Sequence, residues 1–118
     1  MFPFSLFKMF QSHAHAFQNL TPAEFAAGLR QSAAVVLDVR RPDEFAQGHL
    51  PGAINLDVTA PGFLARAAAL DQDRPIYVYC RSGARSAAAA NELAGTGFAQ
   101  VHNLLGGVLA WPEPLTTH

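Results

Sequence analysis

The stretch Ile76-Tyr77-Val78-Tyr79-Cys80-Arg81-Ser82-Gly83-Ala84-Arg85-Ser86 decides the fold. Its first four residues are aromatic or β-branched with no polar alternation, the pattern of a strand buried on both faces. Cys80 ends that strand. A small-residue turn follows, and Ser86 is placed to cap a helix through the alanine run to about Leu93, stopped by Gly95 and Gly97. A buried strand that leads through a tight turn into a helix is the building block of a parallel α/β sheet, where ligands bind beyond the carboxyl ends of the strands. Cys80 is at such an end.

The flanking segments extend the same alternation. Upstream, Thr21-Pro22-Ala23-Glu24 opens a short helix, with Thr21 as N-cap and Glu24 placed for a capping box. Ala34 to Val39 is a second continuous apolar run, hence a second buried strand. Pro42 to Gln47 makes a helical turn, Gly48-His49-Leu50-Pro51-Gly52 an ordered loop, and Ala53 to Leu56 a strand. Pro61 to Leu70 has helical spacing, Val101 to Leu104 is a short strand, and Gly106 to Trp111 is a last helical turn. Pro112 and Pro114 are expected to end the ordered domain. The organisation expected is an aromatic-rich extension over 1–17, a domain over 18–112 and a C-terminal tail over 113–118. The five phenylalanines from Phe2 to Phe17 are expected to cover a flank of the domain.

Composition restricts function. The chain has 118 residues, half of them apolar, which suits one core. A formal net charge of −1 with 14% charged residues offers no basic stripe for nucleic acid. No apolar run approaches the roughly 20 residues of a membrane span, and the N-terminus is a poor signal peptide, so a cytoplasmic protein is expected. One cysteine can form no internal disulfide and no multi-thiolate metal site, and the histidines share no constellation with carboxylates. Neither a metal nor another cofactor is expected.

A thiol is nucleophilic as its thiolate, and an ordinary cysteine is only about 3% ionised at pH 7. The turn after Cys80 supplies what the anion needs. Successive backbone N–H groups converge on its centre, the following helix adds its positive end, and Gly83 with its small neighbours Ser82 and Ala84 permits the convergence. Arg81 and Arg85 are expected to place positive charge beside the sulfur, and the Ser86 hydroxyl is in reach of it. The bowl suits an anionic sulfur donor such as thiosulfate and then a persulfide sulfur on Cys80. With no second cysteine to resolve a persulfide, the acceptor must be external: cyanide, a small thiol or a partner protein's cysteine.

Three further residues are expected to support the site. Asp38 and Arg40 end the second buried strand on the same side of the sheet as Cys80. Asp38 is expected to fix an arginine of the cradle, Arg40 to pair with Glu44, and His49 to order its loop by hydrogen bonding.

Asp38-Val39-Arg40, Glu44-Phe45, Gly48-His49-Leu50-Pro51-Gly52-Ala53, Tyr79 through Ser86, and Leu105-Gly106-Gly107 with Trp111 together resemble the single-domain rhodaneses, over about residues 18–112. The resemblance implies the rhodanese-like α/β fold, a central parallel sheet with helices on both faces. It also implies that Cys80 is the sulfur-carrying nucleophile and the five residues after it are its cradle. That fold in turn resembles the cell-cycle dual-specificity phosphatases, whose loop is Cys-x5-Arg. Here four residues separate Cys80 from Arg85, so phosphatase or arsenate reductase chemistry is the lesser alternative. A sulfur carrier or docking module with little turnover of small donors is the other.

Overall fold

The computed structural model describes residues 16–118. Five parallel strands form one sheet: β1 (Gln18–Leu20), β2 (Val35–Asp38), β3 (Ile54–Asn55), β4 (Ile76–Tyr79) and β5 (Val101–Leu104). Their spatial order is β1-β5-β4-β2-β3, which puts the most apolar strands, β2 and β4, at the centre. Between them run α1 (Pro22–Gln31), α2 (Pro42–Gln47), α3 (Phe63–Ala67) and α4 (Ala84–Ala94), with a closing 3-10 turn at Gly107–Ala110.

The side-chain alternation of β4 builds two cores. Ile76, Val78 and Cys80 face one side, packed with Phe63 and Ala67 of α3 and Ala89, Ala90 and Leu93 of α4. Tyr77 and Tyr79 face the other, packed with Phe25 of α1, Leu50 and Leu104, with Trp111 against its edge. A strand buried on both faces must be apolar at successive positions, and β4 is. Trp111 meets Phe25 edge to face, with ring centroids 5.8 Å apart.

The capping box at α1 forms as its residues predict: Glu24 N–H donates to Thr21 Oγ1 at 3.2 Å, and Thr21 N–H donates to Glu24 Oε1 at 2.9 Å. Three features differ from expectation. β1 carries no strand signature, because Gln18 and Asn19 are polar and exposed. It exists through pairing with β5, where Asn103 Nδ2 donates to Asn19 Oδ1 at 2.9 Å. α4 starts at Ala84, three residues earlier than expected, so Gly83 and not Ser86 occupies the N-cap. Gly83 adopts φ +106°, a left-handed conformation that a residue with a Cβ seldom takes, and this frees Ser86 to turn inward.

The third difference concerns residues 113–118, which do not trail away from the domain. Thr116 and His49 exchange two backbone hydrogen bonds of 2.8 Å, and Leu115 lies against Gly48. Phe17, the one N-terminal phenylalanine among the described residues, packs half-buried against the first core. Phe2, Phe4, Phe7 and Phe10 lie outside the described residues. No described helix is long and apolar enough to cross a membrane.

Candidate active site

The parallel sheet brings the C-terminal ends of β2 and β4 side by side, in the register Asp38 opposite Tyr79. Asp38, Arg40 and Cys80 therefore lie at one edge of the fold, as strand polarity requires.

Cys80 is fully buried, and its sulfur is the focus of three donors. Gly83 N–H donates to Sγ at 3.0 Å, Ser86 N–H at 3.4 Å and the Ser86 hydroxyl at 3.3 Å. Arg81, Ser82 and Ala84 form an exposed rim above it. The 3-10 turn holds the loop from beneath. Val108 N–H donates to the Cys80 carbonyl at 3.0 Å and Leu109 N–H to the Arg81 carbonyl at 3.1 Å. Gly107 makes this approach possible, since a Cβ there would sit 2.4 Å from the Arg81 carbonyl oxygen. The residues of Leu105-Gly106-Gly107 thus act on the site as its floor.

Burial alone would push the Cys80 thiol up, because a thiolate loses water there. The Ser86 hydroxyl, and then the backbone N–H groups of Ser86, Gly83 and Ser82, outweigh that penalty and hold the thiol below its ordinary value. The Ser86 hydroxyl has one hydrogen and lies within reach of both Sγ and the Gly83 carbonyl, at 3.3 and 3.2 Å. A charged sulfur draws that hydrogen toward itself.

Arg85 is close enough to Cys80 for charge–charge attraction, but its hydrogen bonds go elsewhere. Arg85 makes a two-pronged ion pair with Glu44, Nη1 to Oε1 at 2.8 Å and Nη2 to Oε2 at 3.0 Å. That pairing holds the Glu44 carboxyl well down, at about 2. Arg81 projects into solvent at the rim, and among the described residues it has no ion-pair partner. The hydrogen bonds to the sulfur come from backbone and Ser86, with no guanidinium among them, because Glu44 rises from α2 to take Arg85 first.

The expected pairing of Arg40 with Glu44 is likewise corrected. Arg40 folds back on Asp38, with Nε 3.1 and 3.0 Å from its two carboxylate oxygens and Nη2 2.7 Å from Oδ2. The two residues are separated by a single position and both are buried, so the short path and the desolvated carboxylate decide the partner. Asp38 therefore fixes Arg40 and no arginine of the Cys80 loop. Arg40 Nη2 also donates to the Gly48 carbonyl at 2.7 Å, tying the glycine-rich loop to β2.

His49 sits in that loop, tied to the backbone on either side of it. It is buried, stacks on Phe45 with ring centroids 3.8 Å apart, and its Nδ1 and Nε2 face the backbone oxygens of Phe45 and His118 at 2.9 and 3.1 Å. Tyr79, whose hydroxyl accepts from Leu50 N–H at 3.0 Å, braces the same loop from below. Sequence reasoning missed Tyr79, which reads simply as a strand aromatic. It singled out Glu44 but gave it Arg40 as partner, because its pairing with Arg85 arises only when α2 packs beside the Cys80 loop.

Two cavities compete for attention. The larger, about 350 Å³, is lined by Phe17, Gln18, Gln100 and His102 and lies at the N-terminal ends of β1 and β5. The smaller, about 240 Å³, is lined by Arg40, Glu44, Gln47, Arg81, Val108 and Leu115 and opens on the flank of the Cys80 loop. Only the second is at the carboxyl ends of the strands, where a parallel sheet binds ligands, and only it adjoins a reactive group. Among the described residues, no cluster of three or more histidine, cysteine, aspartate or glutamate side chains is placed to hold a metal ion.

Ser86→Ala should move the midpoint of Cys80 alkylation upward by about one pH unit, since it removes a hydrogen bond to a charged group worth about 1.5–3 kcal/mol while the backbone donors remain. Iodoacetamide rates measured against pH check this. In the wild type the rate should reach its plateau below the pH at which free cysteine does, and an unshifted profile in the variant would remove Ser86 from the cradle.

Comparison with known proteins agrees with this architecture. Residues 21–113 match the family model described as a rhodanese-like domain. The chain is 41% identical over 91 residues to the thiosulfate sulfurtransferase GlpE of Stutzerimonas stutzeri, covering 76% of this chain and 81% of that protein. An uncharacterised protein of Bacillus subtilis, YqhL, is 38% identical over 94 residues, covering 80% of this chain and 71% of that one. Among solved structures, a rhodanese-related protein from Thermoplasma volcanium superposes with a TM-score of 0.76 at 28% identity. That match covers 86% of this chain and all of the other. With a family model spanning most of its length and relatives near 40% identity, the chain belongs to the rhodanese-like domain family.

Proposed function

We propose that this chain is a rhodanese-type sulfurtransferase that takes sulfane sulfur from thiosulfate or a similar anionic donor and carries it as a persulfide on Cys80. The observation that carries the reading is the convergence of Gly83 N–H, Ser86 N–H and the Ser86 hydroxyl on the Cys80 sulfur. In the first half-reaction the Cys80 thiolate attacks the outer sulfur of thiosulfate. A new S–S bond forms, the original S–S bond breaks with its electron pair, and sulfite leaves. In the second, an external nucleophile attacks the outer persulfide sulfur and the thiolate is regenerated. With cyanide the product is thiocyanate. With a thiol it is the acceptor's own persulfide. Both leaving groups are anions, so a bowl of fixed N–H dipoles stabilises charge without having to reorganise.

Arg81, alone at the rim, is the group placed to attract a doubly charged donor. Asp38, Arg40 and His49 act by holding the neighbouring loop. The relatives named thiosulfate sulfurtransferase favour thiosulfate as donor, and the spacing of four residues between Cys80 and Arg85 argues against phosphate. A loop this short turns its dipoles toward a single sulfur, and its arginine is committed to Glu44.

Mass spectrometry of the protein after incubation with thiosulfate should find one added sulfur atom on the peptide that contains Cys80, removed again by cyanide with release of thiocyanate. Hydrolysis of a phosphotyrosine mimic with no sulfur adduct would overturn the reading in favour of a phosphatase.

A further inference from the structure

The family match ends at residue 113, yet the chain continues and returns to the cleft beside Cys80. The returning strap is held at three points. Thr116 is paired with His49 through two backbone hydrogen bonds of 2.8 Å, the His118 backbone oxygen meets His49 Nε2 at 3.1 Å, and Leu115 rests against Gly48. Held there, the Leu115 side chain forms one wall of the 240 Å³ cleft, with Arg81, Arg40 and Val108 among its other lining residues.

Two of the polar walls are spoken for. Arg40 is locked by Asp38 and the Gly48 carbonyl, and Glu44 is locked by Arg85. Val108 is fixed by its N–H on the Cys80 carbonyl. Leu115 differs from them: it is apolar and 42% exposed, and its side chain touches Gly48 but makes no hydrogen bond to the Cys80 loop, so its size bears on the width of the cleft and not on the cradle. Cyanide needs none of that space. A thiol acceptor must put the remainder of its molecule somewhere, and the cleft is the recess that adjoins the loop on its Arg81 side.

We propose that Leu115, presented by a strap outside the matched family segment, is a specificity-determining residue that limits the bulk of the acceptor reaching Cys80. The acceptors it admits are compact thiols, with an anionic group favoured by Arg81. This inference rests on the reading of Cys80 as the sulfur carrier.

The test uses the full chain with Leu115→Ala and Leu115→Trp, read in two ways. The first is the ratio of Cys80 alkylation rates by a bulky fluorescein maleimide and by iodoacetamide, which needs no sulfur chemistry. The second is the ratio of kcat/KM for glutathione and for cyanide with thiosulfate as donor. Leu115→Ala should raise both ratios about threefold or more and Leu115→Trp should lower them, the scale on which a change of a few methylenes in an apolar wall discriminates. Ratios that stay put in both variants overturn the proposal. Failure of the wild type to turn over thiosulfate with cyanide would instead strike the Cys80 reading, and the alkylation ratio would still decide the role of the wall.

Discussion

Cys80→Ser should abolish the sulfur adduct and bring thiosulfate turnover to background while leaving the fold in place. Serine preserves the shape of the residue, and its hydroxyl can accept from Gly83 N–H and Ser86, the donors that now serve the sulfur. The net change in stability should stay within about 1.5 kcal/mol, the range of a single exchanged hydrogen bond. Chemistry has no such substitute. An alcohol is not ionised by this cradle at neutral pH, and oxygen does not form the persulfide bond that the cycle needs. Intact-mass measurement after thiosulfate treatment, beside thermal unfolding of the same sample, checks both halves. A sulfur adduct on the variant would end the assignment, since no other cysteine exists to carry it.

The second large effect is expected at the neighbouring strand end, in a pair that does not touch the sulfur. Asp38→Ala should cost about 3–5 kcal/mol, because it leaves the Arg40 guanidinium buried over the Tyr79 ring with the Gly48 carbonyl as its one side-chain hydrogen-bond partner. Arg40 is 5% exposed and Asp38 fully buried, so water cannot take over the lost charge. The loss should appear as a lower urea midpoint at nearly unchanged slope. Asp38→Asn, which keeps some of the hydrogen bonds, should fall between the two. Because Arg40 also tethers Gly48, the variant should loosen the Gly48–His49 loop and, with it, the strap that His49 holds. A loss under about 1 kcal/mol would show that Arg40 finds solvent or another anion, and that the pair is not the anchor its geometry describes.

The pairing of charges shows how far residue patterns reach. Asp38, Arg40, Glu44, Arg81 and Arg85 all stood out in the sequence as site residues or partners, and all but Arg81 are in ion pairs among the described residues. Who pairs with whom was a matter of distance in three dimensions. Arg40 and Asp38 share a strand end and a buried setting, and Glu44 reaches Arg85 across 41 positions of sequence. Composition and spacing rank charged groups by type. They hold no information on which helix packs beside which loop.

The same division runs through the elements. β2 and β4 were legible because strands buried on both faces must be continuously apolar, and α1 because its cap is a local hydrogen-bond pattern. β1 was not, since a three-residue edge strand takes its stability from its partner and needs no pattern of its own. The strap over 113–118 was hidden for a similar reason. Two prolines mark the end of regular structure locally, while the pairing of Thr116 with His49 is a long-range event.

By itself, then, the sequence determined the parallel α/β frame, the position of Cys80 at a strand end and the composition of the loop around it, all consequences of local periodicity and turn chemistry. Tertiary structure alone decided what surrounds the sulfur in practice. It commits Arg85 to Glu44, sets Gly107 under the loop and brings Leu115 to its flank. These are contacts between segments distant in sequence, and their outcome depends on burial and reach, which no residue carries alone.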